Sequence, residues 1–279
     1  MPAKLIDGKA IAEQVLSKVK AVTAKLQKKP TLAVVLVGDN NASELYVRKK
    51  QEACEKVGIN SKLVSSCGTV SEEDILKQIE ELNNDSAVNG ILVQLPLPKQ
   101  VDRNKVLEAI SPAKDVDGFT AENLGKLALG IEEFVSCTAS GIVKLIESTG
   151  TNLEGKNVCV VNHSIVVGRP LVQLLLNRNA TVSVCHKFTK NLSEFTKNAD
   201  VVVTAAGVPN LIKGDMIKQG AIVIDAGIIR DDKKLVGDID FDSVKEIASH
   251  ITPVPGGVGP MTVACLIENT LKAAKLQGD

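Results

Sequence analysis

Short runs of β-branched and other apolar residues alternate along the chain with longer segments of helical periodicity. Strands are predicted over 31–37, 61–66, 90–95, 156–161, 181–185, 200–206 and 221–227. Most of these runs are continuously apolar, which is typical of parallel strands covered on both faces. Helices are predicted over 9–27, 42–57, 72–83, 121–129, 139–149, 169–178 and 261–276. The alternation predicts an α/β fold with parallel sheets.

The composition suits a globular protein that acts on a small molecule. At about 150 residues per domain, the 279 residues suggest two domains. Hydrophobic residues make up 44% of the chain and aromatic residues only 2%, so the core is expected to be aliphatic. Lys+Arg and Asp+Glu both number 33, which leaves no basic field for nucleic acid, and few rings are available to stack on bases. We therefore expect a small-molecule substrate, and neither nucleic acid nor membrane as a partner.

The sequence pattern also bears on the compartment. No apolar run approaches the roughly 18–20 residues of a membrane span, and residues 1–14 lack the apolar centre of a secretory signal. The six cysteines are scattered without a C-x-x-C pair, which argues against a disulfide framework or a zinc site. We expect buried free thiols, no metal and a cytoplasmic location.

Tyr46 and Lys50 are four residues apart in a segment of helical periodicity. At that spacing the two side chains lie on one face of a helix. A lysine beside a phenol and partly shielded from water can exchange protons near neutrality, because burial lowers its pKa. Taken alone, the spacing favours a simpler interpretation: a surface helix with its lysine reaching into solvent and its tyrosine at the rim.

Two further segments place polar side chains where a ligand could be held. Gln94 lies near the end of a predicted strand, and open α/β sheets bind ligands at the carboxyl ends of their strands. The alternative is that its amide satisfies loop backbone. Asp117 shares a glycine-containing turn with Asp115 and could bind a cation or the N–C–N edge of a heterocycle. The alternative for this carboxylate is the capping of an Asx-turn.

The most unusual stretch is PVPGGVGPMT at 253–262. Its glycines allow the backbone to approach a ligand closely, and Pro260 suits the first turn of the closing helix. A flexible linker would not need prolines on both sides. The composition therefore indicates a rigid loop that lines a ligand site.

Residues 156–176 read as a strand, a turn and a helix, the pattern of a nucleotide site. Gly168 and Pro170 mark the start of the helix, whose first N–H groups could receive a phosphate. The regular G-x-G-x-x-G is absent, since Asn162 stands where its first glycine is expected. His186 and Lys187 follow the next strand, where a group that reads the adenosine ribose should lie. Small residues at 203–209 and 224–228 would let a flat ring lie close to two later strand ends.

Together these segments resemble the bifunctional methylenetetrahydrofolate dehydrogenase/cyclohydrolase family. YVRKK, GILVQLPLP, KDVDGF, GRP, TPVPGGVGPMT and IENT occur in the order of the family's motifs and cover essentially the whole chain. The resemblance favours the functional interpretation of Tyr46, Lys50, Gln94 and Asp117 over the simpler ones.

The resemblance implies two domains with the active-site cleft between them. The N-terminal α/β catalytic domain, with a parallel sheet, would comprise 1–137 plus 261–279, and a Rossmann-like NAD(P)-binding domain would comprise 138–260. The enzyme would oxidise 5,10-methylenetetrahydrofolate to the 5,10-methenyl cation with NADP, NAD being the other possible cofactor. It would then hydrolyse the cation to 10-formyltetrahydrofolate. A homodimer is also implied.

The implied site residues fall into three overlapping sets. The catalytic residues are Tyr46, Lys50, Gln94 and Asp117, with Lys50 as the proton carrier. The substrate-binding residues are Tyr46, Val93, Gln94, Leu95, Asp117, Pro255, Gly256 and Gly257. The cofactor-binding residues are Asn162, His163, Ser164, Val167, Gly168, Arg169, Pro170, His186, Lys187, Ala206, Gly207, Gly227 and Ile228.

The chain departs from the family at the nucleotide turn, where the family usually reads G-R-S-x-I-V-G. His163 replaces the arginine that commonly meets the 2′-phosphate of NADP, and Lys187 stands where the family commonly has serine. We hypothesise that Lys187 supplies the missing charge and keeps NADP as the cofactor. Residues 136–140 also lack the prolines of the usual P-C-T-P, which affects the expected wall between the domains but not the chemistry.

Two other functions are compatible with the same pattern. One is a monofunctional NAD-dependent dehydrogenase of the same fold, although such an enzyme would not need Lys50 and Gln94. The other is a folate-binding protein without catalysis, although the small residues at the strand ends argue that a cofactor site is retained.

Overall fold

The computed structural model of the chain describes residues 2–231 and 234–278. The chain divides into two compact units. We call the first the six-stranded unit; it holds Met1–Ala12 and Thr138–Thr262. We call the second the three-stranded unit; it holds Glu13–Cys137 and Val263–Asp279.

Strands and helices alternate through both units. The strands are β1 (Lys4–Leu5), β2 (Thr31–Val37), β3 (Asn60–Ser66), β4 (Gly90–Val93), β5 (Asn157–Val161), β6 (Thr181–Cys185), β7 (Val201–Thr204), β8 (Ile222–Asp225), β9 (Ile229–Asp231), β10 (Lys234–Val236) and β11 (His250–Ile251). The helices are α1 (Gly8–Thr23), α2 (Asn41–Val57), α3 (Glu72–Asn84), α4 (Arg103–Glu108), α5 (Ala121–Ala128), α6 (Cys137–Glu147), α7 (Gly168–Leu176), α8 (Leu192–Thr196), α9 (Phe241–Val244) and α10 (Val258–Leu276).

The three-stranded unit is built on a parallel sheet in the order β3-β2-β4. β4 is buried along its whole length, and β2 is buried except at its first residue, as expected of strands covered on both faces. Two of its helices have capping residues. The Ser71 hydroxyl accepts from the Asp74 amide at 3.1 Å at the start of α3, and Gly58 follows α2 with a φ of +77°.

The six-stranded unit contains a sheet in the order β1-β11-β8-β7-β5-β6, and all its neighbouring strands are parallel. β9 and β10 form a separate antiparallel pair. Aliphatic residues fill the core, together with the buried thiols of Cys159 and Cys185. The aliphatic core predicted from the composition is therefore present.

In both sheets the order in which successive strands are added reverses at the same point. In each sheet the second strand of the series lies on one side of the first and the third lies on the other: β3 and β4 flank β2, and β6 and β7 flank β5. Open α/β sheets bind ligands outside the carboxyl ends of the strands at such a switch point. The topology therefore points to the carboxyl ends of β2 and β4 in one unit, and of β5 to β8 in the other.

The predicted strands and helices are all present, with ends shifted by a few residues, but short elements were missed. The missed strands are β1, β9, β10 and β11, and the missed helices are α4, α8 and α9. Each has six residues or fewer, too short for periodicity to detect. The closing helix was predicted over 261–276, and α10 begins three residues earlier, at Val258, because Pro260 falls in the first turn, where its missing N–H is not needed.

The N-terminus lies in a different unit from the one expected. β1 pairs with β11, and its Lys4 and Ile6 amides donate to backbone carbonyls of the six-stranded unit. Residues before Glu13 therefore belong with 138–262 rather than with the three-stranded unit. Within the described residues, no helix is both long enough and apolar enough to cross a membrane.

Candidate functional site

The three-stranded unit brings Lys50 and Gln94 together beside the carboxyl end of β4. Tyr46 and Lys50 both lie on α2, on one helical face and half-buried. The Lys50 Nζ donates to Gln94 Oε1 at 2.9 Å, and the Gln94 Nε2 donates to the Leu95 carbonyl at 2.8 Å. Gln94 therefore satisfies loop backbone, as the simpler interpretation proposed, and it also contacts the lysine; its role in holding a ligand stays a prediction.

Asp117 and Asp115 have different roles in their shared turn. Asp115 is 1% exposed and accepts from the Gly118 and Thr120 amides, the Thr120 hydroxyl and the Asn123 Nδ2, at 2.8–2.9 Å. Because Asp115 holds the turn in this way, Asp117 is available to face Lys50, whose pKa its charge raises. The capping role considered for Asp117 is thus filled by its neighbour.

Burial brings the pKa values of Lys50 and Asp117 closer together. Burial lowers the pKa of Lys50, and the charge of Asp117 opposes that shift. Burial raises the pKa of Asp117, and the charge of Lys50 opposes it. Burial also raises the pKa of Tyr46, so the phenol keeps its proton and remains a donor. We call Tyr46, Lys50, Gln94 and Asp117 the Lys50 cluster.

Two residues that the sequence analysis missed support this cluster. Cys137 hydrogen-bonds Asp117 through both its thiol and its backbone amide. The Asn269 Nδ2 donates to the Val116 carbonyl at 2.9 Å and to the Val135 carbonyl at 3.2 Å, which ties α10 to the turn. The IENT motif contains Asn269 and was the available signal, but nothing in the sequence assigned it a partner.

Of the expected substrate-binding residues around β4, two are less accessible than their position in the sequence indicated. The Val93 side chain is only 3% exposed, so any contact it makes with a substrate would be through its backbone. Leu95 is half-buried, and its carbonyl is used by Gln94.

The loop between β11 and α10 is tightly packed in the six-stranded unit. The Gly257 amide donates to the Pro253 carbonyl at 2.9 Å, and the Val254–Pro255 peptide bond is cis. A Cβ at Gly257 would lie 2.7 Å from the Thr252 Cβ, and one at Gly8 would lie 1.9 Å from the Gly257 carbonyl oxygen. The contacts explain why this loop needs glycine; the role of Pro255, Gly256 and Gly257 in substrate binding stays a prediction.

At the nucleotide turn, the Asn162 side chain organises the backbone. Its Oδ1 accepts from the Ser164 amide and hydroxyl at 2.8 Å and from the Gly168 amide at 3.0 Å, and its Nδ2 donates to the Ala205 carbonyl. A Cβ at Gly168 would lie 2.2 Å from the Asn162 carbonyl oxygen, so this position requires glycine. Asn162 thus replaces the expected first glycine with a side chain that holds the turn closed.

The same turn corrects one expectation. The Val167 and Gly168 amides donate to the side chains of Ser164 and Asn162, and the Arg169 amide donates to the Ser164 carbonyl. These three N–H groups already have partners and are not free to receive a phosphate. Pro170 contributes no N–H and is buried in α7.

Imidazole and ammonium groups gather where β5 and β6 end. The His163 and His186 rings lie 4.9 Å apart between centroids, and Lys187 is exposed with its Nζ 4.9 Å from the centroid of the Phe188 ring. Arg169 donates from Nε to the His163 carbonyl at 3.2 Å. The predicted group of cationic and imidazole side chains is therefore assembled at one edge of the sheet.

Two loops follow β7 and β8 at this edge. Ala206 and Gly207 are exposed, as is Ile228, whereas Gly227 is buried. A Cβ at Gly227 would lie 2.4 Å from the Asp238 Oδ1, so Asp238 makes glycine necessary there. Asp238 and its neighbour Asp225 were not predicted as site residues, because neither belongs to a recognised nucleotide motif.

The chain joins two parallel α/β units. One has the turn and strand ends typical of a nucleotide site, and the other carries the half-buried Lys50. This combination defines a class of two-domain, nucleotide-dependent enzymes. Comparison with known proteins identifies the family. The tetrahydrofolate dehydrogenase/cyclohydrolase catalytic domain matches residues 6–117, and the NAD(P)-binding domain of the same family matches residues 136–278. The chain belongs to the tetrahydrofolate dehydrogenase/cyclohydrolase family, as the motifs predicted.

Individual relatives agree over nearly the full length. The bifunctional protein FolD of Listeria innocua is 54% identical over 276 residues, covering 98% of this chain and 97% of the relative. The crystal structure of FolD methylenetetrahydrofolate dehydrogenase/cyclohydrolase from Campylobacter jejuni has a TM-score of 0.97 at 47% identity, covering 98% of this chain and 99% of that one. The Trypanosoma brucei FolD complexed with NADP and an inhibitor has a TM-score of 0.96 at 36% identity, with coverages of 99% and 98%.

Proposed function

We propose that this enzyme oxidises 5,10-methylenetetrahydrofolate to 5,10-methenyltetrahydrofolate with NADP and then hydrolyses the product to 10-formyltetrahydrofolate. The observation that carries the proposal is the Lys50 cluster. A lysine held by Gln94 at 2.9 Å, with a lowered pKa and a carboxylate nearby, is what the hydrolytic step requires. Family membership supplies the folate substrate class and the NAD(P)-binding domain.

The oxidation makes few demands on acid–base groups. The nicotinamide cofactor, when bound, accepts a hydride from the methylene carbon. The positive charge left behind is shared by the two nitrogens, N5 and N10, so no proton has to be removed. What the protein supplies is the orientation of the two reactants. The enzyme therefore needs no general base for this step, and the Lys50 cluster must serve the other one.

The hydrolysis does require proton transfer. Water adds to the cationic carbon and loses a proton. The bond from that carbon to N5 then breaks while the new hydroxyl loses its proton to become the formyl carbonyl, and N5 gains a proton, so one proton is released overall. Lys50 is the proton carrier, because its lowered pKa makes the free amine accessible. Gln94 orients the Lys50 amine, Tyr46 lies on the same helical face, and Asp117 anchors the pterin edge. Proton transfer by a positioned group contributes roughly 10²–10⁴-fold to a rate.

The residues of the six-stranded unit fit a nicotinamide dinucleotide. At Gly168 and Gly227 a Cβ would clash with neighbouring atoms, so no side chain projects toward the edge of the sheet there. Ala206 and Gly207 leave room for a flat ring. His163, His186 and Lys187 offer donors for a phosphate at the ends of β5 and β6. Because the amides of Val167, Gly168 and Arg169 and the hydroxyl of Ser164 already donate to other groups, we assign phosphate binding to side chains such as Arg169.

Lys187 is the proposed reader of the 2′-phosphate. A charge-assisted contact of this kind contributes roughly 1.5–3 kcal/mol, so Lys187→Ala should lower the preference for NADP over NAD by about ten- to a hundredfold. The measurement is kcat/KM for each cofactor. Lys190→Ala, at another exposed lysine of the same loop, is the matched control and should leave the preference unchanged. An unchanged preference in Lys187→Ala would remove Lys187 from this role.

One assay separates the proposed function from its alternatives. The purified protein is mixed with methylenetetrahydrofolate and NADP or NAD, and the absorbances of reduced nicotinamide and of the methenyl product are followed together. Reduced cofactor without accumulated methenyl product indicates both activities. Accumulated methenyl product indicates a dehydrogenase alone, and no signal indicates a folate-binding protein without catalysis.

We also propose a homodimer and a cytoplasmic location. β6 is an edge strand of its sheet. Beside it lie two exposed apolar side chains, Val184 at 42% and Phe188 at 74%. An edge strand with apolar neighbours can pair with a second copy of the chain. Sedimentation of the wild type and of Val184→Lys tests the dimer: the wild type should sediment as a dimer and the variant as a monomer.

A further inference from the structure

Asp238 is a buried carboxylate that no recognised motif of the chain assigns to the cofactor site. It follows the β9–β10 pair and is 0% exposed. Its Oδ2 accepts from the Thr204 hydroxyl at 2.8 Å and from the Ala206 amide at 2.6 Å, and its Oδ1 accepts from the Val208 amide at 2.9 Å. One side chain therefore fixes the loop after β7 at three points.

Asp238 also shapes the turn after β8. A Cβ at Gly227 would lie 2.4 Å from the Asp238 Oδ1, so the backbone at 227 packs directly on this carboxylate. The two loops that carry Ala206, Gly207, Gly227 and Ile228 thus share one support, which comes from the segment after β10.

A second carboxylate holds Asp238 itself in place. The Asp225 Oδ1 accepts from the Gly227 amide at 2.9 Å and from the Asp238 amide at 3.1 Å, and its Oδ2 accepts from the Ile239 amide at 3.1 Å. A Cβ at Gly237 would lie 1.9 Å from the Asp225 Oδ2, so this approach also requires glycine. The backbone around 238 therefore has little freedom to move away from the β7 loop.

The arrangement is costly for a purely structural purpose. Two neighbouring carboxylates repel each other and lose hydration on burial, and their hydrogen-bond donors are backbone amides and one hydroxyl. Functional sites need such support, because side chains and backbone must be held in productive geometry by surrounding hydrogen bonds. The donors that Asp238 engages belong to the loop on which a flat ring is expected to lie.

We propose that Asp238 is a positioning residue for the dehydrogenase step, which fixes the loop after β7 and the turn after β8 in the geometry that receives the nicotinamide end of the cofactor. This inference rests on the proposed function. Asp238 does not touch the reacting atoms; it acts through the backbone of Ala206, Val208 and Gly227. Removing it should therefore weaken cofactor binding and hydride transfer, and should spare the hydrolysis supported by the Lys50 cluster.

The test compares Asp238→Asn with Asp200→Asn. Asp200 is a carboxylate of the same sheet that also accepts from a backbone amide, Asn157 at 2.9 Å, but it precedes β7, so it lies at the other end of that strand. In Asp238→Asn, a side-chain NH2 group replaces one carboxylate oxygen. Because this NH2 group is a donor, it cannot accept the hydrogen bonds that the oxygen accepts. Three quantities are measured for both variants: the Kd for NADP by calorimetry, hydrogen exchange at the Ala206 and Val208 amides, and the two activities assayed separately.

For Asp238→Asn we expect the Kd for NADP to rise by about tenfold or more, which is the cost of one buried hydrogen bond to a charged group. The Ala206 and Val208 amides should exchange faster in the cofactor-free protein. Hydrolysis of methenyltetrahydrofolate supplied directly should stay within about twofold of wild type, because Lys50 and Gln94 are untouched. Asp200→Asn should match the wild type in all three quantities.

An unchanged Kd and unchanged amide exchange in a folded Asp238→Asn would overturn the inference, and so would an equal loss of both activities. If Asp238→Asn does not fold, Thr204→Val removes only the hydroxyl donor and should give the same pattern, with a smaller loss confined to cofactor binding and oxidation. Equal losses in that variant would also overturn it. Failure of the proposed function appears differently: the wild type itself would then lack turnover.

Discussion

Buried charge is used in opposite ways by the two units of the molecule. In the three-stranded unit, the charges of Lys50 and Asp117 act on each other, and burial shifts the pKa of each group toward its neutral form. In the six-stranded unit, Asp225 and Asp238 are each held by three donors from the backbone and from Thr204. The first arrangement leaves groups that can exchange protons, whereas the second fixes loops.

The same contrast occurs within a single turn. Asp115 accepts four hydrogen bonds and holds the turn, while Asp117, two residues later, is bonded by Cys137 and interacts with the charge of Lys50. The lesson is that residue type does not separate a scaffold carboxylate from a reactive one. The number of donors that satisfy it does.

The largest expected effect comes from removing the Lys50 amine. Lys50→Met should lower the hydrolysis of methenyltetrahydrofolate by roughly 10²–10⁴-fold, because the proton carrier is lost. Oxidation of methylenetetrahydrofolate should persist, since that step needs no general base. The measurement is kcat for each step, assayed separately.

Lys49→Met is the matched control, because Lys49 is the exposed neighbour of Lys50 on the same helix. It should leave both steps at the wild-type rate. Full retention of hydrolysis in Lys50→Met would show that the buried lysine is not the proton carrier.

Stability should separate Asp115 from Asp117. Asp115→Ala leaves several buried donors without an acceptor, at about 1–3 kcal/mol for each, so we expect a loss of about 3 kcal/mol or more. Asp117→Asn removes a charge that burial disfavours and should change the free energy of unfolding by less than about 1 kcal/mol. Urea unfolding followed by the fluorescence of Tyr46, the only tyrosine, reports on the three-stranded unit. Equal effects of the two variants would contradict the assignment of scaffold and reactive roles.

The pH dependence of stability tests the buried pair in the other unit. Burial raises the pKa of Asp225 to about 6, and the charge of Asp238 acts in the same direction. In the unfolded chain this carboxyl titrates near 4, so between about pH 4 and pH 6 the folded protein retains a proton that the unfolded chain releases. The stabilisation is therefore complete below about pH 4 and is lost as the pH rises to about 6, by about 3 kcal/mol.

Asp225→Asn removes that titration while leaving the other groups in place. The stability of the wild type relative to this variant should therefore fall as the pH rises from about 4 to about 6. Denaturant unfolding of both proteins across this range provides the comparison. A difference that stays constant, or that grows with pH, would contradict the raised pKa of Asp225.

Much of the fold followed from local pattern. Continuous apolar runs predicted β2, β5 and β6 to within a residue. Short elements such as β1 and β11 were missed, because two residues carry no periodicity and these strands form only by pairing with each other and with β8.

The candidate site was predictable only in part. Lys50 and Gln94 were found through their motifs, and the structure adds the hydrogen bond that joins them. Asp238 and Asn269 were not found, because each acts on backbone more than 25 residues away in the chain. Contacts of that range depend on tertiary packing, which no local spacing encodes.

The most direct test of the contrast between reactive and scaffold charge is the titration of Lys50 by NMR of its side-chain amine, assigned from the signal that disappears in Lys50→Met. Lys50 should titrate below the ordinary lysine value of about 10.4, because burial lowers its pKa. In Asp117→Asn it should titrate lower still, because the charge that raises its pKa is gone. Titration of Lys50 at or above the ordinary lysine value, or an upward shift in Asp117→Asn, would contradict a reactive role for this lysine.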